Sequence, residues 1–387
     1  MKKKLAVLLA CVLFTACAKT PEKVKEKNSS QAEPTEISQS SSTEDRKFVS
    51  KTVTESDFAK CVEDSRDVIF SGNYDNLKIA NDFKVVAKSY PNCIEAFVPS
   101  DFEKNADSVF GLLMPDKTKG YYSEKKQPHT DPETGKTIYE YSNEQSTGFI
   151  GSDGIVSVID KDYMGKTEYG TNSIVDETRN LVIPVKDDKI SLGAEKLDLR
   201  DMEKAADEKI GFIYFANKDF KYRAYSVSTL TEPSGETLAF MHYRRCYDDV
   251  PVFDCIPLGD QLVKMPALCG TYITFNAEGR IVQLNTSVDL EIKEKTKPVE
   301  ILTPEYAFET ASKALAPHIA HTARFEELVL LPTVENKQGN AHIDLRSGNA
   351  VSLRPYWIIH FETDWWKEVY AAVDAQTGEV DYVNNQN

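Results

Sequence analysis

Apolar and polar positions alternate in different ways along this chain, and the changes in pattern mark its parts. An unbroken apolar run spans Leu5 to Phe14, directly after three lysines. Residues 18–49 then hold mostly Lys, Glu, Ser, Thr and Gln, with no aromatic residue before Phe48. From residue 50 the pattern turns periodic. Phe58, Val62 and Ile69 lie on one helical face between Ser56 and Phe70. Strands are expected at 77–88 and 93–98, around Pro91-Asn92. Ser100-Asp-Phe-Glu103 is a capping box, opening a helix with Phe102, Ala106, Val109, Phe110 and Leu113 inward. Residues 115–140 are polar and read as a long loop, and short strands follow between Gly148 and Ile159.

Two further helices carry clear apolar stripes. Leu199, Met202, Ala206 and Ile210 form one, with Gly211 as its expected stop. Ala307, Ala311, Ala314 and Leu315 form the other, opened by Thr303 as N-cap and Pro304 at the first helical position, and closed by Pro317. Extended segments follow each helix, at 220–230 and 237–247, and at 325–331 and 353–361. Each set ends in a tight hairpin. Tyr272 to Asn285 turns at Asn276-Ala-Glu-Gly279, and Tyr370 to Asn384 turns at Asp374-Ala-Gln-Thr-Gly378. Asn or Asp enters each turn, and Gly stands where positive φ is needed. The C-terminal half is therefore an internal repeat of a helix and about four antiparallel strands, an α+β layer.

Tyr356-Trp-Ile-Ile-His-Phe361 followed by Val369 to Val380 resembles the PepSY domain, whose hairpin reads "VDA.TGEV" after a helix opened by "T/S-P-E-x-A". Met241 to Phe253 is similar to the strand of thermolysin-type propeptides, which occur in tandem with PepSY; Asp249 stands where that pattern has Gly. The resemblance covers roughly residues 196–387. It implies small antiparallel sheets each packed with a helix, a first unit at 196–296 and a second at 297–387. A separate α+β domain is expected at 50–195. The whole chain resembles uncharacterised lipoproteins of low-GC Gram-positive bacteria.

The N-terminus supports an address. A basic start, a short apolar core and small residues before Cys17 describe a secretory signal over 1–16. Thr15-Ala16-Cys17 resembles a bacterial lipobox, in which the cysteine is lipidated and becomes the new terminus. The run is short for a membrane-spanning helix. Residues 17–49 cannot bury enough apolar surface to offset their ordering entropy, and read as a tether reaching on the order of 30 Å. The expected location is the extracytoplasmic face of the cell membrane, with a lipid anchor.

Removing 1–16 takes three lysines and no acid, moving the formal charge from −15 to −18. Such a body disfavours nucleic acid, which needs clustered positive charge. Five cysteines remain beyond Cys17. Cys255 and Cys269 flank a Pro- and Gly-bearing excursion and are one candidate disulfide pair; Cys61 and Cys93 are the other. Reduced, buried thiols are the alternative for each.

Catalytic patterns are scarce. There is no HExxH and no GxSxG nucleophile elbow. His318 and His321 form a close pair without a third ligand placed by the sequence, so no metal is assigned. Asp160-Lys-Asp162 starts like a calcium loop, but Met164 and Thr171 fail its later positions, and a turn is expected. Gly148 to Gly154 is a glycine cluster better explained by hairpin turns. Trp365, Trp366 and Tyr356 could present an aromatic surface to a partner; core packing is the alternative.

These readings point to a lipid-anchored binding or regulatory protein with no cofactor and no catalytic activity, recognising a protein or peptide segment such as a protease or membrane sensor. The alternative is an extracytoplasmic hydrolase with its site in 50–195.

Overall fold

The structure is a computed structural model. It describes residues 51–74, 77–97, 103–113, 124–130, 132, 137–151, 154–164, 174–181, 188–213, 219–232, 235–253, 270–287, 289–315, 319–333, 350–363 and 369–383. The signal and tether expected at 1–49 lie outside them, as do Cys17, Cys255, Cys269, Trp365 and Trp366.

Residues 50–387 form one compact unit. It opens with β1 (Thr52–Val53), α1 (Glu55–Ser71), β2 (Leu77–Val86), β3 (Cys93–Phe97) and α2 (Glu103–Leu113). Short strands follow: β4 (Glu124–Lys125), β5 (His129–Thr130), β6 (Thr137–Ser142), β7 (Ser146–Gly151), β8 (Val156–Asp160), β9 (Ile174–Asn180), β10 (Lys189–Leu192) and β11 (Glu195–Asp198). Helix α3 (Leu199–Ile213) leads into β12 (Lys221–Thr231), β13 (Thr237–Tyr247), β14 (Val250–Pro251), β15 (Thr271–Phe275) and β16 (Ile281–Asn285). After β17 (Glu291–Thr296) and β18 (Ile301–Leu302), α4 (Pro304–Ala314) leads into β19 (His321–Thr333), β20 (Ala350–Glu362), β21 (Val369–Asp374) and β22 (Val380–Val383).

The architecture is α+β, with two large sheets among the described residues. The larger runs β4-β6-β7-β8-β16-β15-β13-β12-β9, and the smaller runs β17-β3-β20-β19-β2, with β21 on β20 and β22 on β21. Each contains the same local order. A helix precedes four antiparallel strands, each paired with the next, β12-β13-β15-β16 in one and β19-β20-β21-β22 in the other. Gly279 and Gly378 occupy matching turns with φ of 75° and 79°. Each donates its N–H to the carbonyl of the residue that enters the turn, Asn276 or Asp374.

Residues 50–195, expected as a separate domain, instead lend strands to both sheets. β8 pairs with β16 in the larger sheet. β2 and β3 were expected on either side of Pro91-Asn92, but they do not pair with each other. β2 runs parallel to β19, and β3 lies between β20 and β17. The polar stretch 115–140 is not loop alone, since β4, β5 and the start of β6 fall in it. Helix α3 also continues past Gly211 to Ile213. A Cβ at Gly211 would meet open space, so nothing local forces the helix to stop there.

Two helices cover one face of each sheet. Phe110 of α2 and Met202, Ala206 and Ile210 of α3 pack with Val227, Ile273 and Phe275. Phe58 and Ile69 of α1 and Phe308 and Ala311 of α4 pack with Phe83, Trp357 and Val373. The buried Trp357 indole donates to the Leu302 carbonyl at 2.9 Å, which satisfies its one polar atom. Each fully buried large side chain contributes about 1.5–3 kcal/mol. On its helix-free face the smaller sheet meets the chain leaving β13. Val252 bridges to Leu330, and Phe253 packs on Val329, Tyr356 and Ile358. The hairpin between β13 and β14 turns through Asp248 and Asp249, both at positive φ, as a two-residue turn requires.

Candidate functional site

Three groups of described side chains are candidate sites, and the first lies where the two sheets meet. Strand alternation sends Glu327 of β19 away from α1 and α4, toward the larger sheet. Tyr225 of β12 and Arg244 of β13 reach it from that sheet, and His360 comes from the adjacent β20. The Tyr225 hydroxyl donates to Glu327 Oε1 at 2.9 Å, and the Arg244 guanidinium donates to the same oxygen at 3.0 Å. His360 Nε2 lies 2.7 Å from it. Phe325 stacks on the His360 ring at 3.8 Å, and Tyr370 meets it edge-on. Arg244 also lies over the rings of Tyr225 and Phe253.

Burial pushes the Glu327 carboxyl upward, but the charges of Arg244 and His360 outweigh it and hold the group at about 2. A charge-assisted oxygen with three partners in a dry setting is a strong local anchor. Glu327 and His360 side chains are 1% and 3% exposed, and aromatic rings close the surroundings. With the acid bonded to Tyr225 and Arg244 of the other sheet, the arrangement links the two sheets.

A second group lies on the opposite face of the same strand. Glu326 points under α1 and α4, fully buried, and neither carboxylate oxygen has a hydrogen-bond partner. Burial, and then the nearby charge of Glu305, raise its carboxyl well above the ordinary range. Glu305 is itself raised by burial. The same surroundings push the Cys61 thiol up to about 12, again by burial first and Glu305 second. A thiol held protonated is a poor nucleophile.

A third feature is a cleft of about 390 Å³ beside α1, lined among others by Phe58, Lys88, Tyr90, Asn92 and Asp248. Lys297 and Glu55, ion-paired at 2.6 Å, also belong to its lining. Its lining mixes both signs of charge and gives no convergent set of catalytic groups.

The sites expected from sequence fare unevenly. Cys61 and Cys93 are both free thiols, so the disulfide expected between them is not formed. Cys61 sits among α1 and α4 side chains, whereas Cys93 donates toward Gln376 Oε1 at 3.3 Å. Tyr356 is 3% exposed and packs against Phe253 and Val329, so it belongs to the core and not to a partner surface. His321 is buried against Phe361, and His318 lies outside the described residues. Asp160 caps the turn at Lys161–Tyr163 by accepting from the Asp162 N–H, as a turn reading expects. Sequence reading missed Arg244, Glu326 and Glu327. Their signal was present, since Arg244-Arg245 and Glu326-Glu327 interrupt otherwise apolar strands, where a charge needs a partner.

No protein-family model matches the chain, and no curated protein matches it. A solved structure does. An uncharacterized protein from Eubacterium rectale ATCC 33656, determined at 1.45 Å, superposes with a TM-score of 0.55 at 14% identity. The match covers 80% of this chain and 91% of that one. At that identity the likeness is one of fold.

Proposed function

We propose that this chain is a lipid-anchored extracytoplasmic protein that binds or regulates a protein or peptide partner and has no catalytic activity of its own. The observation that carries the reading is the duplicated build. Two helix-plus-four-strand units share strand order, turn hydrogen bonding and a left-handed glycine at the same point. That supports the resemblance of 196–387 to tandem propeptide and PepSY units, which are associated with holding or regulating other proteins. The lipobox-like Cys17 supplies the anchor in this reading, and residues 17–49 supply reach from the membrane.

Two measurements test it. Cys17→Ser is expected to move the protein from the membrane fraction to a soluble or uncleaved form, and unchanged detergent partitioning overturns the anchor. Chemical crosslinking in native membranes, followed by affinity purification, is expected to recover one discrete protein partner. Recovery of the chain alone overturns the binding reading.

A further inference from the structure

We propose that the outer edge of β22 receives an antiparallel strand from a partner protein, and that this strand carries a Lys or Arg facing Glu379. The proposal rests on the peptide-binding reading above and assigns it to one edge of one sheet.

The two units differ in what lies beside their last strand. In the larger sheet β16 is covered by β8, with Gln283 opposite Ile159, Leu284 opposite Val158 and Asn285 opposite Ser157. In the smaller sheet β22 pairs with β21 and with no other strand among the described residues. The registers align the two hairpins residue by residue. Thr274 pairs with Gln283 as Ala372 pairs with Tyr382, and Ile273 pairs with Leu284 as Ala371 pairs with Val383. Tyr382 and Val383 thus stand where Gln283 and Leu284 receive β8. An uncovered edge presents unpaired backbone groups that accept an added strand.

The first unit also shows what such a strand must carry. Asp160 at the end of β8 forms an ion pair with Arg280 of the hairpin at 2.6 Å, and its side chain is 5% exposed. Arg280 follows Gly279 and accepts from the Asn276 N–H. Glu379 follows Gly378 and accepts from the Asp374 N–H in the same way. The hairpin charge is therefore reversed between the units. An acidic strand end matches Arg280, and a basic one matches the exposed Glu379. The rest of the second hairpin adds Asp374 and Asp381 and no Lys or Arg between 369 and 387. Alternating apolar positions complete the description, after Val156 and Val158 of β8, which both pack into the core beneath the helices.

The test uses the full-length protein and two synthetic peptides in large excess. One has the sequence of residues 154–161, and the other is the same segment with Asp160→Lys. The readout is amide hydrogen exchange across 380–383. The Asp160→Lys peptide is expected to slow exchange there by roughly 10-fold or more, with the unchanged peptide weaker. Glu379→Lys in the protein is expected to reverse that preference. A version of the peptide with N-methylated alternate amides is expected to protect nothing. Absence of protection from either peptide overturns the edge assignment, and equal protection by both overturns the charge rule. Protection that grows with protein concentration alone overturns the peptide occupant in favour of a second copy of the chain. If crosslinking in membranes recovers a partner while β22 exchange stays unchanged, the binding reading stands and only the edge is wrong.

Discussion

Glu326 and Glu327 are neighbours on β19, and the sheet places them in opposite surroundings. Glu327 faces the larger sheet and has Tyr225, Arg244 and His360 on one oxygen. Glu326 faces α1 and α4 and has no hydrogen-bond partner on either oxygen. Both are fully buried, so burial alone does not set their charge. The difference is the presence of a guanidinium. The Glu327 carboxyl is held down at about 2, whereas burial raises that of Glu326 well above the ordinary range. One strand thus carries a salt-linked clamp on one face and a buried acid without a hydrogen-bond partner on the other.

The largest way to break this contrast is to remove Arg244. Arg244→Met leaves the Glu327 charge buried with its main compensation gone, and is expected to cost about 3–5 kcal/mol in urea unfolding. A loss below about 1 kcal/mol shows that the two sheets do not depend on the clamp.

pH separates the two acids next. The Glu327 carboxyl lies below its ordinary 4.5, so its contribution is present above pH 4.5 and is lost as pH falls through about 2. A shift of that size corresponds to about 3 kcal/mol. The Glu326 carboxyl lies above 4.5, so its contribution is complete below pH 4.5 and is lost as pH rises through its raised value. Unfolding free energy measured from pH 2 to 10 is expected to fall at both ends. Glu326→Leu is expected to flatten the alkaline side and leave the acid side in place. If both sides flatten together, the two carboxyls are coupled across the strand.

Glu326→Leu also sharpens the comparison at neutral pH. Replacing an unpartnered buried acid by an apolar side chain is expected to stabilise the protein by about 1–3 kcal/mol. The opposite sign, in the same urea measurement, points to an unseen partner for that carboxyl.

The smallest test concerns the duplicated hairpins. Gly279→Ala and Gly378→Ala each place a side chain at positive φ, and each is expected to cost about 1–2 kcal/mol. A Cβ would meet Leu197 in one case and Leu302 in the other, at 3.4 and 3.3 Å. Clearly unequal losses break the equivalence of the two turns.

Much of this structure was legible in local pattern. The stripe Leu199, Met202, Ala206 and Ile210 specified the buried face of α3, because a helix returns to the same face every three or four residues. Thr303-Pro304 specified where α4 starts, and the two Asn/Asp-to-Gly turns specified hairpins, because only a few residue types suit those backbone angles. Strand pairing was not legible in the same way. β2 and β3 read as sequence neighbours, yet their backbone groups are satisfied by β19, β20 and β17, more than 190 residues away. The placement of Cys61 and Cys93 as separate thiols follows from that pairing, since each is carried to its own surroundings. The ionisable clusters divide along the same line. Sequence alone determined that Glu326-Glu327 and Arg244 interrupt apolar strands, and therefore that each needs an answer inside the protein. Only the tertiary structure decided that Arg244 answers Glu327 and that Glu326 is left without a hydrogen-bond partner. Which face of a strand meets which neighbour is set by long-range packing, and the charge of a buried carboxyl is set by the groups that packing brings within a few ångströms.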